Sequence, residues 1–187
     1  MKKRLLFTLV VLVSILITSC NDSERFEVKK GKVSFITSKT LIKDLKTLFK
    51  NDSIVSNLSE GSLGDNYFQD DDEYLIYEKG GKHMLTVVPK QQLDSTSTIK
   101  SIQIFDKRFK TETGLNIKSS FGEINLNNNI NKIESSLSSA TLFIDDLNAT
   151  IAIDKEELGL KGFSSEKVTL NQIPNLAKMK SFIVWFN

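Results

Sequence analysis

Two heptapeptides that lie 80 residues apart decide the predicted fold: Ile99–Phe105, with the sequence IKSIQIF, and Met179–Trp185, with the sequence MKSFIVW. Both are rich in aromatic and β-branched residues, which are typical of β-strands. The dipeptide Lys-Ser stands at the same place in each of them, at Lys100-Ser101 and at Lys180-Ser181. A recurrence of this kind indicates an internal repeat.

The residues before the first heptapeptide predict a strand, a helix and two further strands, in this order: Lys32–Ile36, Lys39–Lys50, Glu73–Glu78 and Lys82–Val88. Ser38 is a suitable N-cap for the helix. The helix has an apolar face at the expected three- and four-residue spacing, formed by Leu41, Leu45, Leu48 and Phe49. Gly80-Gly81 favours a two-residue hairpin turn between the last two strands.

The residues before the second heptapeptide predict the same order of elements: Gly114–Lys118, a short helix that ends near Asn127, Ala140–Asp145 and Ala149–Asp154. Ser120 and Glu123 have the spacing of a capping box for that helix. A turn near Leu147-Asn148 would connect the last two strands. Residues 51–72 lengthen one connection of the first half, and residues 155–178 lengthen one of the second.

The sequence therefore predicts an α+β fold, built by tandem duplication of a strand-helix-strand-strand-strand unit. Its antiparallel strands would form one continuous sheet or two sheets, with the helices packed on one face. The expected boundaries are residues 31–110 for the first half and residues 111–187 for the second.

The first 19 residues predict a secretory signal peptide. A positive start, formed by Lys2, Lys3 and Arg4, precedes the 13-residue apolar run Leu5–Ile17. The run is shorter than the ~20 apolar residues of a membrane-spanning helix. The residues Ile17-Thr18-Ser19-Cys20 that follow resemble the bacterial lipobox, in which an aliphatic residue and two small residues precede a lipidated cysteine.

The lipobox resemblance implies that the chain is cut before Cys20 and held on a membrane by lipid on that thiol, with residues 20–30 as a tether. Two or three acyl chains give a stable attachment, whereas one gives a marginal one. In enterobacterial sorting, Asp after the lipidated cysteine favours retention in the inner membrane. Asn21 stands there, which favours the outer membrane in a cell that has one.

Charge and cysteine content restrict the function classes. Without residues 1–19 the chain has 22 Lys plus Arg and 23 Asp plus Glu, a net charge of about −1. This balance does not predict binding to nucleic acid. Cys20 is the only cysteine, so the chain has no intramolecular disulfide and no cysteine-rich metal site. No cofactor motif is present, and we expect no cofactor and no metal ion.

Residues 102–124 resemble a group of uncharacterised bacterial envelope lipoproteins. The shared pattern is a strand, a Thr-x-x-Gly turn, a short strand and a helix start rich in small residues, here Phe109–Phe121 with the sequence FKTETGLNIKSSF. That group usually has Gly where Lys118 or Ser119 stands. Residues Ile173–Met179 are similar to the same group. The resemblance implies no catalytic residues. The architecture is also similar to envelope modules of the β-lactamase-inhibitor-protein type, which bind proteins.

The polar residues of catalytic or metal sites are few. His83 is the sole histidine and would lie in a strand beside a turn, which is too little for a hydrolase triad or a zinc site. The acidic run Asp70–Glu73, with Asp65 nearby, has calcium-ligating residue types but not the spacing of an EF-hand loop. Three further acidic positions fall in predicted turns: Asp145-Asp146, Asp154 and Glu156-Glu157.

The last strand is apolar on both faces, with Phe182 and Phe186 on one face and Trp185 on the other. Such a strand is either central and covered on both sides, or it presents a face to a partner. Phe182, Trp185 and Phe186 are therefore the candidate interaction residues. Asp52-Ser53-Ile54 and Asp94-Ser95-Thr96 resemble short bacterial O-glycosylation sequons.

Three functions fit these observations. The first is a non-catalytic envelope lipoprotein that binds a protein or scaffolds a complex. The second is a small-ligand-binding lipoprotein with a pocket between its two halves. The third is a hydrolase that uses carboxylates alone, which would need two carboxyl groups about 5–10 Å apart across one cleft.

Overall fold

A computed structural model describes residues 24–59 and 71–186. The described chain is rich in β-structure, with eleven strands and only short helical segments. The predicted α+β fold is therefore wrong, since the longest helix has seven residues and most of the layer over the sheet is turns, loops and 3₁₀ segments. Cys20 and the predicted signal peptide lie outside the described residues, as do Asp65 and Asp70.

Eight strands form one antiparallel sheet: β4 Ser53–Asn57, β5 Glu73–Tyr77, β6 His83–Pro89, β7 Ile99–Ile104, β8 Ile130–Ser135, β9 Ser139–Ile144, β10 Ala149–Asp154 and β11 Ser181–Trp185. Their spatial order is β4-β5-β6-β7-β11-β10-β9-β8. The sheet consists of two four-stranded meanders, β4–β7 and β8–β11. The last strand of one pairs with the last strand of the other, with Val184 opposite Ile102. The sheet is thus continuous across the middle of the chain.

Three two-residue strands form a second small sheet near the start of the described chain: β1 Val28–Lys29, β2 Lys32–Val33 and β3 Ile36–Thr37. The single predicted strand Lys32–Ile36 is therefore wrong. Ser34 has a φ of 56°, in the left-handed region, so the chain turns back on itself between β2 and β3.

In the described chain from Val28 onwards, the helical residues fall into five short segments: η1 Ile42–Asp44, α1 Leu45–Leu48, α2 Phe121–Asn127, η2 Lys155–Leu158 and η3 Leu170–Gln172. The predicted helix over Lys39–Lys50 is much shorter, and its N-cap is Leu41 rather than Ser38. The capping box that begins α2 is confirmed, because Glu123 accepts a hydrogen bond from the Ser120 backbone at 2.7 Å.

One face of the eight-stranded sheet forms the hydrophobic core, and the short helices and the small sheet cover it. The side chains of this covered face include Ile76, Leu85, Ile102, Leu142, Ile151, Phe182 and Val184, all essentially without solvent exposure. Ile42, Leu45 and Phe49 of the η1–α1 segment and Phe121 and Ile124 of α2 join the same cluster. The opposite face of the sheet is described below.

Three predicted hairpin and strand features are confirmed: the Gly80-Gly81 hairpin, the hairpin before Asp154, and β7 with β11. Two strands of the eight-stranded sheet, β4 and β8, were not predicted, and they are its two edges. The predicted strand Gly114–Lys118 is wrong. Its residues form turns, in which the Leu115 backbone donates to Thr111 Oγ1 at 3.1 Å and Gly114 has a φ of 86°.

Candidate interaction surface

The second face of the eight-stranded sheet is not covered by any other element among the described residues. We call it the open face. It carries one row of paired side chains that crosses all eight strands, because each pair in the register places its side chains next to each other. The row consists of Val55, Leu75, Thr86, Gln103, Ile183, Thr150, Phe143 and Lys132.

Half of this row is apolar, and its apolar side chains are partly accessible. Val55 is 52% exposed, and Leu75, Ile183 and Phe143 are half-buried. Thr86, between larger side chains, is buried. In an antiparallel sheet with one solvated face, apolar residues on the covered face alternate along each strand with polar residues on the solvated face, so apolar side chains on the open face form a surface that a partner can bury.

Trp185 forms one end of the open face, in the row next to Ile183. Its indole Nε1 donates to Thr150 Oγ1 at 3.0 Å, and the Asn148 side chain donates to its backbone oxygen at 2.8 Å. These bonds fix the indole beside Phe143, over whose ring the Lys132 ammonium lies at 5.1 Å from the centroid. Trp185, Thr150, Asn148 and Phe143 line a shallow cavity of about 340 Å³.

Three stacked rings form the other aromatic part of the open face. The His83 ring lies 4.8 Å from the Tyr77 ring and 4.1 Å from the Phe105 ring, measured between centroids. His83 Nε2 is 3.1 Å from Thr86 Oγ1, which places the imidazole over the open face. Burial lowers the pKa of His83, because its cationic form would lose hydration. At neutral pH the stack is therefore uncharged.

A charged network borders the stacked rings. The buried Asp106 carboxylate accepts hydrogen bonds from the Arg108 backbone and side chain and lies 2.9 Å from the Lys82 ammonium. Arg108 also donates to both oxygens of Glu78 at 2.8 Å. Burial alone would raise the pKa of Asp106, but the donors from Arg108 and Lys82 lower it to about 2. Each charged group of this network has a partner of opposite charge, and the network therefore joins the end of β5, the start of β6 and the end of β7.

The described residues of the acidic run Asp70–Glu73 form hydrogen bonds and an ion pair within the fold. Asp72 is buried and accepts hydrogen bonds from the backbone of Ser59 and Leu93. Burial raises its pKa, but these bonds outweigh that effect and lower it. Asp71 pairs with Lys100 at 2.8 Å. In the described ranges, no group of three His, Cys, Asp or Glu side chains has a geometry that could hold a metal ion.

The acidic residues at the two ends of the β9–β10 hairpin do not face each other. Asp145-Asp146 and Asp154 lie at opposite ends of it, about 20 Å apart for six residues at roughly 3.3 Å each. Asp154 pairs with Lys180, and the Asn131 side chain donates to Asp145. Glu157 accepts a hydrogen bond from the Lys178 backbone. Asp145 and Asp154 are therefore farther apart than the two carboxyl groups of a glycosidase.

The three candidate interaction residues do not share one surface. Phe182 and Phe186 are buried in the core on the covered face, whereas Trp185 is half-buried on the open face. β11 is a central strand of the sheet, between β7 and β10. Of these three residues, only Trp185 is therefore positioned to contact a partner, beside Ile183 of the same strand. Sequence reasoning missed Leu75 and Phe143.

The contact between the two halves of the sheet leaves no room for a pocket on the covered side. There Ile102 of β7 and Val184 of β11 are paired and fully buried, and Phe182 fills the next position. On the open face the same seam carries Gln103 beside Ile183. The shallow cavity near Trp185 lies entirely within the second half.

The two serines of the sequon-like tripeptides are both exposed, Ser53 at the start of the edge strand β4 and Ser95 in a turn. Their preceding aspartates are engaged. The Asp52 side chain is 2% exposed and bound by Arg25. Asp94 accepts two hydrogen bonds from Thr96, at 2.8 Å and 2.7 Å.

The fold is similar to that of a solved Escherichia coli protein. The crystal structure of the uncharacterized protein yfeY from that organism matches with a TM-score of 0.53 and 11% sequence identity. The match covers 85% of this chain and 99% of the other. At this identity the likeness concerns the fold alone. The chain matches no protein-family model and no curated protein.

Among the residues that the structure describes, no helix has both the length and the apolar character needed to cross a bilayer. The open face is the candidate interaction surface of the described chain. It combines a cross-strand row with partly accessible apolar side chains and two aromatic parts, one around Trp185 and one formed by Tyr77, His83 and Phe105.

Proposed function

We propose that this chain is a lipid-anchored protein of the bacterial cell envelope that has no catalytic centre and binds another protein through the open face of its sheet. The observation that carries the proposal is the eight-residue row from Val55 to Lys132, in which apolar side chains remain partly accessible on a rigid central sheet. Rigid, apolar and aromatic surfaces with a charged or polar border are typical of protein interfaces.

The close packing at the place where β7 pairs with β11 supports protein binding over the binding of a small ligand in a pocket between the two halves. Ligand pockets are concave and bury most of the ligand surface. The paired Ile102 and Val184 leave no such space on the covered side. The separation of Asp145 from Asp154 likewise supports a binding role over carboxylate hydrolysis.

The anchor is proposed from Cys20 and the residues before it. Labelling of the growing cells with an alkyne analogue of palmitate tests it, since the thiol is needed for attachment of lipid. We expect label on the wild-type protein and none on Cys20→Ser. Label that is absent from both proteins, or present on both, would contradict lipidation at Cys20. Fractionation of the envelope then tests the expected outer-membrane location in a Gram-negative host.

The binding surface is tested by a photo-crosslinking residue placed at Leu75 or Phe143, two positions of the open face on opposite halves of the sheet. The matched controls carry the same residue at Glu112 or Lys118, which are exposed in turns outside the sheet. We expect one discrete adduct from the two open-face positions in intact cells and none from the controls. Adducts that are equal at all four positions, or absent at Leu75 and Phe143, would reject the open face as the interface.

A small ligand is the second candidate, because the shallow cavity of about 340 Å³ beside Trp185 has a polar border that includes Asp145 and Thr150. Native mass spectrometry of the protein purified from its own envelope decides this case. A bound molecule that is lost in Trp185→Ala, together with no protein adduct, would favour the ligand-binding function.

A further inference from the structure

Four lysines lie in the η1–α1 segment and the turns that flank it, and are called the lysine stripe here: Lys39, Lys43, Lys46 and Lys50. Lys43 in η1 and Lys46 in α1 are three residues apart, on one side of the helical segment, whereas Lys39 and Lys50 lie in the turns before and after it. All four are exposed, whereas Ile42, Leu45 and Phe49 on the other side are buried in the core. The segment is therefore amphipathic, with a basic outer face.

These lysines are not neutralised by neighbouring carboxylates in the described part of the chain. The salt bridges found there involve other cations, such as Lys29 and Lys32 of the small sheet. Asp44, the acidic residue within the segment, is half-buried and accepts a hydrogen bond from the Leu41 backbone at 3.2 Å. Within residues 24–59 and 71–186, the four lysines of the stripe thus have no carboxylate within salt-bridge distance.

The charge of the whole chain is distributed unevenly. Residues 20–52 carry eight Lys or Arg and five Asp or Glu, whereas residues 53–187 carry 14 and 18. The positive part is the one that follows Cys20. The near-neutral total conceals this difference, which is why composition alone did not reveal the stripe.

The path of the chain brings the stripe close to the proposed anchor. Arg25 is held by Asp52, which directly precedes β4, with Nη2 2.7 Å from Oδ1. Cys20 and Arg25 are separated by five residue steps, which span at most about 18 Å when extended. Arg25 and Lys50 line the same surface depression. A bilayer that holds lipid on Cys20 therefore lies within about that distance of Arg25, on the side of the domain that carries the C-terminal end of the stripe.

We infer that the lysine stripe docks on the anionic headgroups of the membrane that holds the anchor, and so fixes the orientation of the domain. This inference depends on the proposed lipidation of Cys20. Each lysine near an anionic surface strengthens binding by roughly fivefold, and the effect decays within a Debye length of about 8–10 Å. The short tether allows the lysines nearest to Arg25 to come within this distance of the surface.

Docking through the stripe has a consequence for the open face. The η1–α1 segment packs on the covered side of the sheet, since its buried residues belong to that core. A membrane in contact with the outer face of this segment leaves the open face of the sheet free for a protein partner. The stripe and the open face thus serve different contacts.

The test uses the full acylated protein in vesicles, with a fluorophore on Thr47→Cys, an exposed position between two of the lysines. Quenching by a headgroup-labelled lipid reports contact with the surface. We compare vesicles of phosphatidylcholine with vesicles that contain 30% phosphatidylglycerol. The stripe variant carries Lys39→Gln, Lys43→Gln, Lys46→Gln and Lys50→Gln, and the control changes the exposed Lys79, Lys107, Lys161 and Lys167 to Gln.

We expect at least a twofold increase in quenching on the anionic vesicles. The increase should persist in the control variant, disappear in the stripe variant and disappear in 0.5 M NaCl. Equal quenching in the wild-type and stripe proteins would overturn the docking inference and leave the anchor intact. A protein that carries no acyl mass and does not stay on neutral vesicles would instead contradict the proposed anchor.

Discussion

Arg25 and Asp52, 27 residues apart, form the ion pair that fastens the start of the described chain to the turn between α1 and β4. One guanidinium nitrogen lies 2.7 Å from Asp52 Oδ1 and 2.9 Å from Oδ2. The Asp52 side chain is almost fully buried, so its contact with Arg25 replaces contact with water. The pair determines where the proposed tether leaves the domain.

Removal of the Arg25 charge leaves that carboxylate buried without its cation. We expect Arg25→Gln to lower the free energy of unfolding by roughly 1.5–3 kcal/mol, the range for a hydrogen bond to a charged group. Urea denaturation measures the loss. Lys29→Gln is the control, because it breaks an exposed pair with Glu27 and should cost less than about 1 kcal/mol. Equal losses in both variants would show that Arg25 and Asp52 do not form this pair in solution.

Asp106 predicts a specific acid sensitivity. Its pKa in the folded protein is about 2, below the value of roughly 3.9 for an unfolded chain. A lowered pKa stabilises the fold above the unfolded value, and this contribution is lost as the pH falls from about 4 towards 2. The difference in stability between wild type and Asp106→Asn should therefore shrink over that range. A difference that stays constant from pH 6 to pH 2 would contradict the network.

Lys155 holds the segment after η2 in place, although it is a fully buried cation. Its ammonium donates to the backbone oxygens of Ser164 and Glu166, the latter at 2.8 Å. Lys155→Met removes both bonds and leaves the carbonyls without this donor. We expect faster cleavage by a protease within residues 159–168. Lys161→Met, at an exposed position of the same segment, should leave the cleavage rate unchanged.

Adjacent residues of β9 distinguish the two faces of the sheet. Leu142 is fully buried on the covered face, whereas Phe143 is half-buried on the open face. We expect Leu142→Ala to lower the free energy of unfolding by about 2–5 kcal/mol, and Phe143→Ala to lower it by clearly less, despite the larger deletion. Thermal or urea unfolding of the two variants measures the difference. A larger loss in Phe143→Ala would mean that the open face is covered in solution.

Local sequence patterns predicted the central elements of the sheet. The strands around Ile102 and Val184 are rich in β-branched and aromatic residues, and Gly80-Gly81 and the Ser120–Glu123 capping box have direct local causes. The edge strand β8 was not predicted because Ile130 and Ile133 are three residues apart. A register shift between Ile130 and Lys132 lets both contribute to the packing of the sheet in spite of this spacing.

The opposite error occurred in the turns after β7. Leu115 and Ile117 alternate with polar residues as in a strand, but the positive φ of Gly114 and the bond from Leu115 to Thr111 fold that part of the chain into turns. The open face was not predictable because it depends on strand order. Phe143 and Leu75 belong to one row only once β7 pairs with β11, a contact between residues about 80 positions apart.

Binding of a protein through the open face is the main proposal. Its most direct test measures the amount of crosslinked partner recovered from cells. One double variant carries Leu75→Lys and Phe143→Lys on the open face, and the control double variant carries Leu126→Lys and Phe163→Lys. The control changes two exposed apolar residues outside the sheet in the same way. We predict that the open-face variant remains folded and lipidated but recovers at least tenfold less partner than the wild-type protein, whereas the control recovers as much as the wild type. Equal recovery from both variants would contradict binding through the open face.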